Sequence, residues 1–326
     1  MKAEAGRRVA AMWLTTILLA SAAGGSASQT SPAAAGQDSQ PFRIAVNVNL
    51  VVLPAVVRDR QGRFVSDLRQ QDFEVYEDGV LQTIRMFEHE DMPVTVGLVV
   101  DHSGSMHRKM LDVIAAASTF ARSSNRQDQM FVVNFNEKVT LGLPADVLFT
   151  DDPEELQGAI ARTEAAGETA LYDAIVTALE RLQTGSREKK VLLIISDGGD
   201  NKSTHSLADV LKLAGQSNAV IYSVGIFDPQ DPDQNPGMLR RVARETGGEA
   251  FFPSELEEVV PICERIARDI RHQYTIGYTS SQKAQPGATR AIRVVAHGPD
   301  GKLSVRARTS YIAGGDRSPI PREIAK

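Results

Sequence analysis

The sequence predicts a doubly wound, mostly parallel α/β sheet that is inserted in a small β-sandwich formed by the N- and C-terminal segments. The first observation is a set of apolar runs without alternation, which are typical of parallel strands covered by helices on both faces. The second is a helical stretch between each pair of runs, since alternating strands and helices indicate an α/β sheet. The third is strict apolar–polar alternation on both sides of this region, which indicates half-buried strands.

The composition is that of an ordinary globular protein. The chain has 326 residues, of which 42% are hydrophobic and 24% charged, so a full-sized core is expected. The single cysteine, Cys263, excludes an intramolecular disulfide and a cysteine-based zinc site. The net charge of −5 argues against a nucleic-acid binder, which usually carries a basic excess. Residues 91–270 carry −11 and residues 271–326 carry +7, so an acidic central domain with a basic neighbour is predicted.

The first 28 residues have the pattern of a secretory signal. Three basic residues precede an apolar run over 9–20, and small residues follow it. A run of this length is too short to cross a bilayer as a helix. Residues 1–28 are therefore predicted to be a signal peptide that directs the protein to the periplasm or the exterior, and residues 29–40 a linker. The protein would associate with a membrane only if this leader stayed uncleaved.

The two segments that flank the central region are predicted to share one sandwich. In residues 41–90, apolar and polar side chains alternate from Val46 to Leu50, and a further strand is predicted near 63–65. Asp78-Gly79 in the same segment is a strong β-hairpin signal. Alternation returns over 271–314. Neither segment has enough strands for a domain of its own, so we expect them to combine. Residues 315–326 are predicted to be a polar tail.

Basic residues are frequent in the C-terminal strands. They either dock the sandwich against the acidic central domain or lie in solvent, and the sequence leaves both alternatives open. The residues concerned are Arg293, Lys302, Arg306 and Arg308.

Residues 91–270 are predicted to form the α/β domain. The apolar runs lie at 96–100, 131–133, 191–195 and 220–224. The helical stretches lie at 110–122, 154–162, 171–182, 207–214, 238–244 and 255–269.

Oxygen-bearing side chains follow the first apolar run. Asp101, Ser103 and Ser105 stand at alternate positions where the strand ends, and Gly104 is expected to permit a tight turn. The carboxyl end of a central parallel strand is where open α/β sheets bind ligands. Carboxylate and hydroxyl oxygens are hard donors, which suit Mg²⁺ or another divalent cation such as Mn²⁺ or Ca²⁺. His102, between these donors, is expected to be a solvated loop residue.

Two further donors are expected at the same edge of the sheet, because three donors from one loop do not make a cage. Thr169 precedes the helix at 171–182, and Asp197 follows the run at 191–195. Hydroxyls carry no charge, so a cation held by them and by at most two carboxylates keeps an open position. We expect an Asp or Glu carboxylate of a protein ligand to fill that position.

Residues 94–270 resemble a von Willebrand factor type A domain, and the five donors match its metal-ion-dependent adhesion site. The resemblance implies that the two serines bind the ion directly and that Thr169 joins them in the liganded state. It also implies that both aspartates act directly or through water. The flanks resemble secreted bacterial proteins in which a type A domain lies between an Asp-Phe-Glu-Val-Tyr-Glu-Asp-Gly motif, here 72–79, and a Tyr-Thr-Ile-Gly-Tyr strand, here 274–278.

The predicted function is that of a secreted, non-enzymatic module that binds a protein ligand through a metal ion. Neither a nucleic acid nor a small-molecule substrate is expected. Two alternatives remain: a structural subunit of an envelope complex that uses another face, and a metal-assisted hydrolase. The hydrolase is disfavoured because Asp101 stands where a Gly-x-Ser-x-Gly nucleophile elbow has its first glycine.

Overall fold

A computed structural model describes residues 50–89, 91–227, 232–282, 285–299 and 301–314. The predicted signal peptide, linker and tail, and residues 41–49, lie outside these ranges. Within the described part of the chain, no helix combines the length and the apolar character needed to cross a membrane.

The N-terminal segment forms four strands. They are β1 (Leu50–Arg58), β2 (Phe73–Glu77), β3 (Val80–Gln82) and β4 (Ile84–Glu88). β2 and β3 form the predicted hairpin, in which Asp78 (φ 48°) and Gly79 (φ 81°) both adopt the positive φ that a type I′ turn requires. The prediction of a strand near 63–65 is wrong. Asp59 accepts backbone N–H groups of the turn that follows it, and the chain then makes one isolated bridge between Arg58 and Phe64.

The central region contains the predicted strands and helices. Its strands are β5 (Val94–Asp101), β6 (Gln129–Phe135), β7 (Val139–Leu141), β8 (Lys189–Ser196), β9 (Ala219–Gly225) and β10 (Ala250–Phe251). Its helices are α1 (Met110–Ser123), α2 (Pro153–Ala161), α3 (Leu171–Gln183), α4 (Leu207–Gln216), α5 (Pro236–Thr246) and α6 (Val259–Arg271).

Three helices of this region, α2, α4 and α5, begin at residues that satisfy their first backbone N–H groups. Asp152 caps α2 ahead of a proline at the first helical position, and Asn235 caps α5 in the same way. Ser206 and Asp209 form a reciprocal capping box at the start of α4. These local signals explain why these three helices begin where they do.

The central sheet has the strand order β10-β9-β8-β5-β6-β7, and β7 is its antiparallel edge. Every residue of β5 is buried, because helices cover both faces of the sheet. α1 contacts both α2 and α6, and α4 contacts both α3 and α5, which is the arrangement of two helical layers. The sequence did not predict β7 and β10, since strands of three and two residues are too short to have a recognisable period.

The C-terminal segment completes the sandwich. Its strands are β11 (Tyr274–Thr279), β12 (Thr289–Gly298), β13 (Gly301–Lys302), β14 (Ser304–Ala307) and β15 (Ser310–Ile312). One sheet has the order β14-β1-β11-β4, and the other has the order β13-β12-β2-β3, with β15 also on β12. β1 therefore lies between two C-terminal strands, and β2 pairs with one. The α/β sheet is inserted in a sandwich that needs both ends of the chain.

Two of the four basic residues contact the α/β region. Arg308 is buried and donates to the carbonyls of Ala214 and Ser217 at the end of α4. α5 ends at Gly247, which has a positive φ (86°). A Cβ at this position would clash with the backbone nitrogen of Arg308. Arg306 donates to the Gly247 carbonyl. By contrast, Arg293 stacks on a tyrosine within the sandwich, and Lys302 is exposed.

Candidate functional site

Three loops meet at the carboxyl edge of the central sheet. β5 ends at Asp101, and its neighbour β8 ends at Ser196, immediately before Asp197. The loop before α3, which carries Thr169, contacts the first loop through a hydrogen bond from the Gly104 nitrogen to the Gly167 carbonyl (3.2 Å). The fold thus brings the three predicted donor loops to one place.

A chain of hydrogen bonds joins four of the five predicted ligands. The backbone nitrogen of Ser103 donates to Oδ1 of Asp101 at 2.8 Å. The hydroxyls of Ser103 and Ser105 lie 3.2 Å apart, and Ser105 donates to Oδ2 of Asp197 at 2.6 Å. The carboxylates of the two aspartates are therefore linked through the backbone nitrogen of Ser103 and the hydroxyls of Ser103 and Ser105.

Ser196 is a site residue that the sequence did not reveal. Its hydroxyl donates to Oδ2 of Asp101 at 2.6 Å and accepts the backbone N–H of Gly198 at 3.0 Å. It thereby orients the Asp101 carboxylate from the neighbouring strand. The available signal was a polar residue at the end of an otherwise apolar run, which is too common to assign a role.

Thr169 is held by the loop that follows Asp197. The Asn201 side chain accepts the Thr169 N–H at 2.9 Å, and the Asn201 N–H donates to the Thr169 carbonyl at 3.0 Å. The Thr169 side chain is 8% exposed. The fifth predicted ligand therefore lies in a loop that is joined to both of the others.

Two expectations about the first loop are wrong. His102 is fully buried, and its Nε2 lies 3.1 Å from Oδ1 of Asn134, because the loop turns this residue back under the sheet edge. Gly104 does not adopt a positive φ, and a Cβ there would meet only ordinary contacts, so the turn does not require glycine. The contact of the Ser103 hydroxyl is Ser105 rather than this histidine.

The electrostatics of the site favour a cation. Burial, reinforced by the nearby charge of Asp197, raises the pKa of Asp101 to about 6. Both causes oppose the ionisation of Asp101. A divalent cation would remove that penalty and keep Asp101 ionised at neutral pH.

The donor set fits a hard divalent cation. It comprises two carboxylates and three hydroxyls, whose oxygens suit Mg²⁺, Mn²⁺ or Ca²⁺ and offer no soft ligand. No group of three or more His, Cys, Asp or Glu residues that could hold a metal occurs among the residues described. A cation here would thus depend on hydroxyls for most of its protein ligands.

The site is open on one side. Gly104 is exposed and Ser105 is partly exposed, whereas both aspartates are buried beneath them. In the loops next to Thr169 and Asn201, Lys202 and Glu168 form an ion pair at 2.8 Å, with about half of each side chain exposed. Ser105 is therefore the predicted ligand of the first loop that is in contact with solvent.

Comparison with known proteins agrees with this geometry. The family model for the von Willebrand factor type A domain matches residues 95–262. A search of curated proteins found no match.

Solved structures share the fold. A von Willebrand factor type A protein from Catenulispora acidiphila is 15% identical, with a TM-score of 0.50, and the match covers 77% of this chain and 76% of that one. The type A domain of the type V pili tip protein Mfa5 from Porphyromonas gingivalis is 14% identical (TM-score 0.46, 55% and 95% covered). The PilB minor pilin from Streptococcus sanguinis is also 14% identical (TM-score 0.44, 56% and 62% covered). Since the family model covers more than half of the sequence, the chain belongs to the von Willebrand factor type A domain family.

Proposed function

We propose that the protein is an exported, non-enzymatic binding module that recognises a partner protein through a divalent cation. The cation, Mg²⁺ or Mn²⁺, would be held by Asp101, Ser103, Ser105, Thr169 and Asp197. A carboxylate of the partner, from Asp or Glu, would complete its coordination. Export is supported by the basic and apolar pattern of residues 1–28.

The proposal depends on one observation: two neutral hydroxyls lie beside two buried carboxylates at the carboxyl edge of the sheet. The Ser105 hydroxyl donates to Asp197 and lies 3.2 Å from the hydroxyl of Ser103, whose backbone N–H donates to Asp101. Because most of its protein ligands would be neutral hydroxyls, the cation would keep its electrophilic character and an open coordination position for a carboxylate. This attraction matters because residues 91–270 carry −11, which would otherwise repel an acidic partner.

Each residue has a distinct task in this scheme. Ser196 orients the Asp101 carboxylate, and the Gly199 N–H orients Asp197 through its Oδ1 at 3.1 Å. Both carboxylates are thereby fixed before a cation arrives. Ser105 is the partly exposed donor, so it faces the side from which a partner approaches. The arrangement positions these groups for binding.

The test is direct binding of Mn²⁺ to the purified full chain, measured by isothermal titration calorimetry, followed by recovery of partners from envelope extract with Mg²⁺ or with EDTA. We expect wild type to bind about one Mn²⁺ and Asp101→Ala to bind none. A partner specific to this site should be recovered with Mg²⁺ and lost with EDTA or with Asp101→Ala.

Asp152→Ala is the matched control, since it removes an aspartate of the same domain that caps α2 away from the site. Asp152→Ala should bind Mn²⁺ like wild type. Equal Mn²⁺ binding by wild type and Asp101→Ala would refute the cation site. If the amount of partner recovered changed neither with EDTA nor with Asp101→Ala, binding through another face of the protein would be favoured.

A further inference from the structure

We propose that Asp200 and Asn201 are positioning residues, which hold the Thr169 loop against the Asp197 loop without contacting the cation themselves. The inference rests on the proposed function and assigns it two further residues. In the sequence, Asp200 and Asn201 could equally be ordinary turn residues. The hydrogen bonds of the folded chain favour the positioning role.

Asn201 binds both backbone groups of Thr169. Its Oδ1 accepts the Thr169 N–H at 2.9 Å, and its own N–H donates to the Thr169 carbonyl at 3.0 Å. The Lys202 N–H donates to the same carbonyl at 3.1 Å. A residue held by three hydrogen bonds to one segment cannot move independently of that segment. The position of the Thr169 hydroxyl is thus set by the loop that carries Asp197.

Asp200 supplies a cap that α3 lacks. The residue before this helix is Ala170, which has no side-chain acceptor for the first N–H groups. Asp200 Oδ1 accepts the Tyr172 N–H at 3.0 Å, and Ser203, which donates to the same Oδ1 at 2.6 Å, accepts the Asp173 N–H at 3.0 Å. The start of α3 is therefore capped by a different loop, 28 to 30 residues further along the chain.

These contacts join the Thr169 loop to the loop that follows Asp197, so the two loops are ordered together. Without them, Thr169 would have to be ordered each time a cation binds, and that conformational cost would weaken the cation's affinity. Replacement of residues that orient metal ligands typically costs about 10- to 100-fold in metal affinity. We expect a loss of this size although neither side chain is a ligand.

Titration of Mn²⁺ into the full chain tests this inference, with wild type compared with Asp200→Ala, Asp200→Asn and Asn201→Ala. Both bonds to Asp200 end on Oδ1, which an asparagine retains, so Asp200→Asn separates positioning from charge. We expect the two alanine variants to bind Mn²⁺ at least about tenfold more weakly and Asp200→Asn to stay within about threefold of wild type.

Asp152→Ala is again the control, because it also removes an aspartate cap but joins no site loops. It should lower the stability of the chain, as a lost cap does, and bind Mn²⁺ normally. If Asp200→Ala does not fold, Ser203→Ala removes one of the two capping bonds and serves as the milder variant. If Asp200 only capped α3, Asp200→Ala would be less stable than wild type but would bind Mn²⁺ with the same affinity.

Hydrogen exchange of the cation-free protein gives a second readout. The amides of Thr169 and Tyr172 should exchange faster in Asn201→Ala and Asp200→Ala respectively, whereas those of β5 should not change. Normal Mn²⁺ affinity in both alanine variants would overturn the inference while leaving the cation site intact. Equal losses in Asp200→Asn and Asp200→Ala would overturn it for Asp200 by showing that charge is what matters. Failure of wild type to bind Mn²⁺ would overturn the proposed function and this inference together.

Discussion

Arg58, on the first described strand, donates from Nη2 to Oδ1 of Asp269 at 2.6 Å, across 211 residues of sequence. Arg306, near the other end of the chain, donates to the second oxygen of the same carboxylate. Asp269 lies on α6 and is fully buried. One carboxylate of the α/β region thereby binds a strand from each half of the sandwich.

Asp269→Ala is expected to destabilise the protein by about 3–5 kcal/mol, because it removes the carboxylate partner of Arg58 and leaves Arg306 with Glu249 alone at a largely buried interface. Urea unfolding of the full chain measures the loss. Arg63→Ala is the control, since it breaks an exposed pair with Asp59 and should cost less than about 1 kcal/mol. Similar small losses in both variants would show that the buried carboxylate contributes little.

Glu77 has a comparable role inside the sandwich. Its buried carboxylate accepts the hydroxyls of Tyr278 (2.6 Å), Ser280 (2.6 Å) and Tyr311 (3.0 Å), which come from the C-terminal segment. Glu77→Ala should cost about 3 kcal/mol, because two buried tyrosine hydroxyls lose their common acceptor. Denaturant unfolding checks this value.

Glu74→Ala is the matched control for Glu77. Glu74 also accepts a tyrosine hydroxyl (2.9 Å), but its side chain is 44% exposed. Water can replace that bond, so the loss should stay below about 1 kcal/mol. Equal effects at the two positions would contradict a special role for the buried carboxylate.

Because of Lys190, we expect the free energy of unfolding to depend on pH. Burial lowers its pKa from 10.5 to about 8, while Nζ donates to the Gly185 carbonyl at 2.6 Å. Between these two values the unfolded chain binds more protons than the folded one, so this group's contribution to stability rises with pH over that window. The unfavourable effect is fully present below about pH 8.

Lys190→Met removes this titration. The variant's stability relative to wild type should therefore be greatest near about pH 7.5 and should decline towards about pH 10, as measured by urea unfolding at each pH. A difference in unfolding free energy that is independent of pH would contradict the prediction.

Cys263 should be unreactive in the folded protein. It is fully buried in α6, and burial raises the pKa of its thiol to about 12. Alkylation followed by mass spectrometry should show labelling slowed by at least about 1000-fold relative to the unfolded chain, because only opening of the structure exposes the thiol. Rapid labelling of native protein would indicate that α6 opens readily.

The sequence predicted the elements whose signal is local. Runs such as 191–195 and amphipathic stretches such as 171–182 have a period that one segment displays on its own, and both appear where predicted. The Asp78-Gly79 hairpin is likewise determined by two adjacent residues. The five predicted site residues follow from strand ends that topology places at one edge.

The remaining features depend on contacts between distant segments. His102 was expected in solvent but is buried against Asn134, a partner that only the adjacent strand supplies. The Ser196 bond to Asp101 and the Asn201 bonds to Thr169 likewise exist only once three loops have met. Short edge strands such as β7 are fixed by pairing, so no period in the sequence could reveal them.

The chain passes between the sandwich and the α/β sheet twice, between β4 and β5 and between α6 and β11. Both passages lie at the amino end of the parallel strands, whereas Asp101 stands at the other end of β5, about 23 Å away for a strand of eight residues. The sandwich and the candidate site therefore lie at opposite ends of these strands. A large body attached to the sandwich would leave the candidate site uncovered.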